Sequence, residues 1–116
     1  NVEKRLHGID CLSLESGLCL IPTPGHTAGS LVVVLGDSEQ VLFSGDHLWW
    51  NKDIGSLIAS KTYCWWNWDE QIKSIERLNN LDVRWLLPGH GSSHNFRLGE
   101  WKVALDELLG YVSRMN

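Results

Sequence analysis

Three short loops hold the side chains best suited to chemistry in this 116-residue chain. They are Thr23-Pro24-Gly25-His26-Thr27-Ala28-Gly29, Ser44-Gly45-Asp46-His47 and Pro88-Gly89-His90-Gly91. Each sets an imidazole or a carboxylate among glycines at the end of an apolar run. Glycine admits positive φ and lets a backbone approach a ligand closely. Imidazole and carboxylate are the ligand types of zinc, iron and manganese hydrolase centres. Taken singly, each loop is ordinary, because a histidine in a turn is commonly structural and Gly-Asp after a strand is commonly a plain turn. The ordered set of three carries the argument.

The elements that must position these loops can be read from periodicity and punctuation. Cys11 to Leu14 alternates as a strand does, and Glu15-Ser16-Gly17 turns the chain. Leu18 to Ile21 predicts a strand ending at Pro22-Thr23-Pro24-Gly25. The run Leu31 to Leu35 predicts a strand buried on both faces. Gly36-Asp37-Ser38 marks a turn, and Val41-Leu42-Phe43 resumes as a strand that stops at Asp46. Asn67 can cap a helix with Glu70 as its reciprocal partner, and Trp68, Ile72, Ile75 and Leu78 share one face. Asp82 to Leu87 is a strand that runs into His90. A second helix spans about Leu98 to Arg114, with Trp101, Leu105, Leu108 and Val112 on one face. Strands followed by helix, strand and helix suit an α+β fold, with helices on one face of a mixed or antiparallel sheet.

Read together, the Pro-Gly-His-Thr, Gly-Asp and Pro-Gly-His-Gly loops resemble the metallo-β-lactamase superfamily, in wording closest to its glyoxalase II-like branch. The resemblance implies a four-layer αββα sandwich of which residues 1–116 are a single partial domain, the C-terminal half. It also implies two divalent metal ions at the sheet edge, zinc first, with iron or manganese as alternatives. His26 is then a ligand of the first metal, His90 of the second, and Asp46 bridges both as the catalytic carboxylate. One departure is large. The family's His-x-His-x-Asp-His motif is absent, and the only histidine before His26 is His7. The missing N-terminal half is therefore expected to be needed for a complete site. Alone, this chain is expected to bind zinc weakly and to hydrolyse nothing, since stable zinc sites usually need three or four protein ligands.

In a complete protein the resemblance implies hydrolysis of a small ester, thioester or lactone through metal-activated water. The alternatives are mononuclear-iron sulfur or oxygen chemistry on the same scaffold, or a non-catalytic half-domain. His47, Lys52 and Tyr63 are candidate substrate contacts, although His47 follows Asp46 directly and its ring should point away from the same metal. Thr27 and Ser44 either orient the ligands or cap their turns, and His94 is expected to be solvated. Lys52, Lys61 and Tyr63 lie in the connecting segment Trp49 to Trp66, beside tryptophan pairs that form either a packed layer or an aromatic-walled pocket; packing is the simpler reading of seven tryptophans.

The resemblance implies a small-molecule substrate as partner, and composition bears on the other classes. Net charge is −4 and the basic residues are scattered, so no nucleic-acid partner is expected. The apolar runs are too short to span a bilayer, so no membrane is expected. The chain starts without Met and shows no signal-peptide pattern, which reads as an internal segment of a cytoplasmic protein, or of an organellar one whose targeting segment lies upstream. Three cysteines without a CxxC pair read as unpaired thiols in a reducing compartment.

Overall fold

The computed structural model describes residues 12–13, 17–62 and 64–114, with side chains described from Gly17 onward. The expected turn at Glu15-Ser16, the residues Cys11 and Leu14, and the candidate Tyr63 lie outside the described residues. Eight strands and two helices follow in the order β1 (Leu12–Ser13), β2 (Leu18–Pro22), β3 (Leu31–Leu35), β4 (Gln40–Gly45), β5 (Trp49–Asn51), β6 (Ser56–Ile58), α1 (Trp68–Arg77), β7 (Val83–Pro88), β8 (His94–Asn95) and α2 (Glu100–Ser113). The main sheet runs β1-β2-β3-β4-β7-β8, and β5-β6 is a separate hairpin. Within the main sheet only β4 and β7 pair in parallel; the other neighbours are antiparallel. The sheet is therefore mixed, and α1 supplies the crossover that a parallel pair requires.

Both helices cover one face of this sheet. Val32, Val34, Leu42, Val83 and Leu86 alternate onto that face and pack with Ile75, Leu78, Trp101, Leu105, Leu108 and Val112 in one buried cluster. Asn67 caps α1 through its side chain, with Oδ1 accepting from the Glu70 N–H at 3.0 Å. The reciprocal role expected of Glu70 is replaced by a contact with Lys73 at 3.7 Å, one turn on. Asn67→Ala removes an acceptor for an otherwise orphaned helical N–H and is expected to lower stability by about 1 kcal/mol, which urea unfolding of the two proteins would measure. α2 begins at Glu100, two residues after the expected start, because Gly99 in the left-handed region (φ +81°) turns the chain into the helix.

Among the described residues nothing covers the other sheet face. Val33 pairs with Leu20 and Phe43, and Phe43 with Leu87; Leu35 pairs with Leu18 and Val41, and Val41 with Trp85. These cross-strand rows are apolar, yet Leu31, Leu35, Phe43 and Trp85 are each more than 40% exposed. β3 is thus buried on one face only, correcting the expectation of burial on both: its sequence suits a strand covered twice, and the described chain covers it once. The Trp49–Trp66 segment also differs from a plain connector. Its tryptophan pairs part company, since Trp49 and Trp50 build β5 whereas Trp65 and Trp66 lie exposed.

Cys19 is disulfide-bonded, which corrects the reading of three unpaired thiols, while Cys64 carries a free thiol that donates to the Gly25 carbonyl at 3.0 Å. Among the described residues no helix is long and apolar enough to cross a membrane.

Candidate metal centre

Parallel pairing of β4 and β7 explains how Asp46 and His90 meet across 44 residues of sequence. Two parallel strands end at the same sheet edge, and here Gly45 pairs with Pro88. The Gly89 N–H then donates to the Gly45 carbonyl at 2.8 Å, locking the two exits together. Gly45 leaves its strand at φ +55°, which aims Asp46 outward. The His26 loop arrives from β2, folded back by the Thr23 N–H donating to the Ser30 carbonyl at 2.9 Å. Its peptide groups are tied down from the α1 side. Asn67 N–H donates to Gly25 O at 2.9 Å, Trp65 N–H to His26 O at 3.1 Å, and Ser74 Oγ to Pro24 O at 2.7 Å.

Asp46 is the hub. Its Oδ1 lies 2.9 Å from His90 Nδ1, and its Oδ2 lies 3.8 Å from His26 Nε2. His26 is the most enclosed of the three side chains, whereas Asp46 and His90 remain about half exposed. Aromatic rings flank both histidines. Trp65 stacks on His26 with centroids 5.2 Å apart, and Trp49 tilts against His90 at 4.4 Å. Gly91 is required by this second contact: at φ +78°, a Cβ there would come within 2.5 Å of Trp49 Cδ1.

The remaining candidates separate. The His47 ring is enclosed, with neither nitrogen hydrogen-bonded, rather than facing the open edge. Burial, and then the neighbouring charge of His26, push its pKa down to about 3, so it is neutral at physiological pH. Lys52 is exposed in the β5–β6 turn. Ser44 Oγ donates to the Leu48 carbonyl at 2.7 Å and Thr27 Oγ1 meets Ser30 Oγ at 2.8 Å, so both close their own turns. His94 is not solvated as expected. It stacks on Trp50 at 3.8 Å and its Nε2 lies 3.1 Å from Glu100 Oε2, because β5 lies against the loop that follows β7.

Glu100 holds that corner. The Arg97 N–H donates to Glu100 Oε1 at 2.8 Å and draws the carboxyl below its usual range, against the opposing effect of burial and with further help from His94. A carboxyl with a lower pKa in the folded state stabilises the fold above its unfolded pKa, near 4.5, and loses that contribution as pH falls below it. Glu100→Gln is accordingly expected to lower the melting temperature at pH 7, with the difference from the unsubstituted chain shrinking as pH falls below about 4.5. Paired thermal scans across that range would check it.

Gln71 is a participant that sequence reasoning missed. Periodicity assigns the inner face of α1 to apolar residues, but Gln71 and Ser74 are buried there beside Trp68 and Ile75. The only signal in the sequence is a polar pair interrupting the apolar face four and seven residues after the Asn67 cap.

As a donor set, two imidazoles around one carboxylate suit a divalent cation in kind. Their arrangement is not that of a finished site: among the described residues no group of three or more His, Cys, Asp or Glu side chains is disposed to hold a metal ion.

Residues 8–90 match the family model described as the metallo-beta-lactamase superfamily. Solved structures of similar fold include a metallo-beta-lactamase family protein of Thermus thermophilus (23% identity, TM-score 0.61, 94% of this chain and 35% of that one). VMB-1 matches at 18% identity and TM-score 0.64 over 98% of this chain and 49% of its own. An archaeal metallo-beta-lactamase superfamily protein of Sulfolobus tokodaii matches at 21% identity and TM-score 0.59, over 95% and 39%. The chain thus spans between about a third and a half of the length of these neighbours. Comparison with the curated proteins finds no match.

Proposed function

The chain belongs to the metallo-beta-lactamase superfamily, and from that premise we propose that His26, Asp46 and His90 are its contribution to the metal centre of a hydrolase. The observation that carries this reading is the seating of His26 and His90 on opposite oxygens of Asp46. Superfamily membership suggests divalent metal as the cofactor. Zinc is the first choice for a set of imidazoles and a carboxylate, with iron or manganese as alternatives; up to two ions would be held by His26, Asp46 and His90, with Asp46 shared between them. Such ions supply a water acidified to hydroxide near neutral pH and a Lewis acid for the substrate oxygen.

The geometry supports the following roles for this chain's own residues. Asp46 holds the negative charge between the two imidazoles. The Gly45–Gly89 hydrogen bond keeps Asp46 and His90 in register. Trp65 against His26 and Trp49 against His90 restrict the tilt of the histidine rings. The remaining ligands would come from sequence beyond this chain, packed on the open face of the β3–β4–β7 sheet. The loop wording favours a small ester, thioester or lactone, as in the glyoxalase II-like branch, in a protein acting in the cytoplasm or an organelle. Lys52 is the proposed contact for an anionic substrate group; its exposure in the turn after the Trp49 strand supports that reading. A panel of thioesters and lactones, assayed with the complete protein before and after chelation, tests this reading. Turnover of at least one, lost on chelation and restored by zinc, is expected; no turnover of any with metal bound would defeat it.

A further inference from the structure

We propose that Gln71 is a positioning residue that sets the His26 loop and the Asp46 turn in register with each other. The proposal rests on the reading of His26 and Asp46 as partners in one centre. Gln71 is 1% exposed and sits on the inner face of α1. Its Nε2 donates to the carbonyl of His47, the residue after Asp46, at 3.0 Å. Its backbone is pressed so closely on Gly25, the residue before His26, that a Cβ on Gly25 would overlap the Cα and Cβ of Gln71. One residue therefore touches the neighbours of both candidate ligands, which come from different strands and share no sheet hydrogen bond.

The surrounding bonds show that this contact is the missing link between two anchored pieces. The His26 loop is fastened to the start and middle of α1 by Asn67 and Ser74. The Asp46 turn is fastened to its own strand and to β7 by the His47 N–H to the Ser44 carbonyl at 3.0 Å, and by Gly89. Among the described side-chain hydrogen bonds, that of Gln71 joins α1 to the Asp46 turn. A buried carbonyl left without its donor bears the full cost of its lost hydration, so the turn would shift to recover a partner, carrying Asp46 with it. The amide oxygen of Gln71, the ring nitrogens of His47 and Thr23 Oγ1 are buried without a protein partner. The contact between Gln71 and the His47 backbone is therefore a buried polar one, with the Gln71 amide nitrogen as the carbonyl's donor.

Gln71→Met keeps the length and the contact with Gly25 but removes the donor; Gln71→Leu removes it with a second, shorter apolar side chain. Amide hydrogen exchange of the His47 and Gly89 N–H groups in either variant is expected to accelerate roughly tenfold or more, while the β2–β3 ladder keeps its protection. Zinc affinity of the complete protein, measured by competition with a chelator, is expected to fall about tenfold or more, the scale on which residues supporting ligands act. Unchanged exchange at His47 and Gly89 in both variants would overturn the proposal. So would acceleration spread equally over the β2–β3 ladder, which would mark Gln71 as ordinary packing. The exchange result decides the role of Gln71 whether or not metal binds. Failure of the unsubstituted protein to bind zinc would instead count against the metal reading.

Discussion

Replacing Asp46 by asparagine in the complete protein is expected to lower turnover by about a hundredfold or more, the scale seen when a key electrostatic group is removed from an active site. Asparagine keeps the shape of the side chain and loses its charge. Both carboxylate oxygens face imidazoles, at 2.9 and 3.8 Å, so an amide would present an N–H to one of them and no net charge to either cation proposed there. No neighbouring acid can substitute: Asp37 lies beyond β3 and Asp53 in the β5–β6 turn. The fold should not register the change, because the side chain is 53% exposed and substitutions at such positions usually stay within about 0.5 kcal/mol. Steady-state kinetics beside thermal unfolding separates the two effects. An Asn variant with near-normal turnover would reduce Asp46 to a turn residue.

The second large effect concerns folding. Gly25→Ala is expected to destabilise the chain by about 3 kcal/mol or more, the sum of two costs. A methyl group at Gly25 would overlap the backbone of α1 at Gln71, which cannot swing aside as the end of a side chain can. Overpacking of this kind costs roughly 1–3 kcal/mol. The backbone at Gly25, with φ +149°, adds a conformational cost of about 1–3 kcal/mol for any residue with a Cβ. Against a typical total of about 5–15 kcal/mol, that is a large fraction. A urea midpoint within error of the unsubstituted chain would show that α1 is free to move away from the His26 loop. Gly45→Ala makes a useful comparison, since a Cβ there meets nothing within 4 Å and only the positive φ is at stake.

The contrast between these two glycines shows what a sequence can carry. Strong periodicity and punctuation make β3, β4, α1 and β7 legible, because alternation and capping are local signals. Asp46 and His90 can be nominated from the glycines around them, but their contact depends on a parallel pairing between strands separated by a helix. The tryptophan pairs can be read as packing or as pocket walls, and each of two rings covers a histidine instead, Trp65 over His26 and Trp49 over His90. His94 reads as solvated because its neighbours in sequence are polar; the stacking partner Trp50 reaches it from another element. Gln71 is invisible for the same reason, since its worth lies in the carbonyl it reaches across the fold and not in its helical position. Leu31–Leu35 is legible as a strand, but its pattern describes a more fully covered sheet than the described residues provide.

Metal content tests the central claim most directly. The complete protein, purified without chelator, is expected to carry divalent metal by elemental mass spectrometry, at up to two ions per chain. His26→Ala and His90→Ala should each lose a substantial part of it while keeping their far-ultraviolet circular dichroism. A complete protein free of metal even after zinc is supplied, or variants that retain the full complement, would contradict the assignment of His26, Asp46 and His90 to one metal centre.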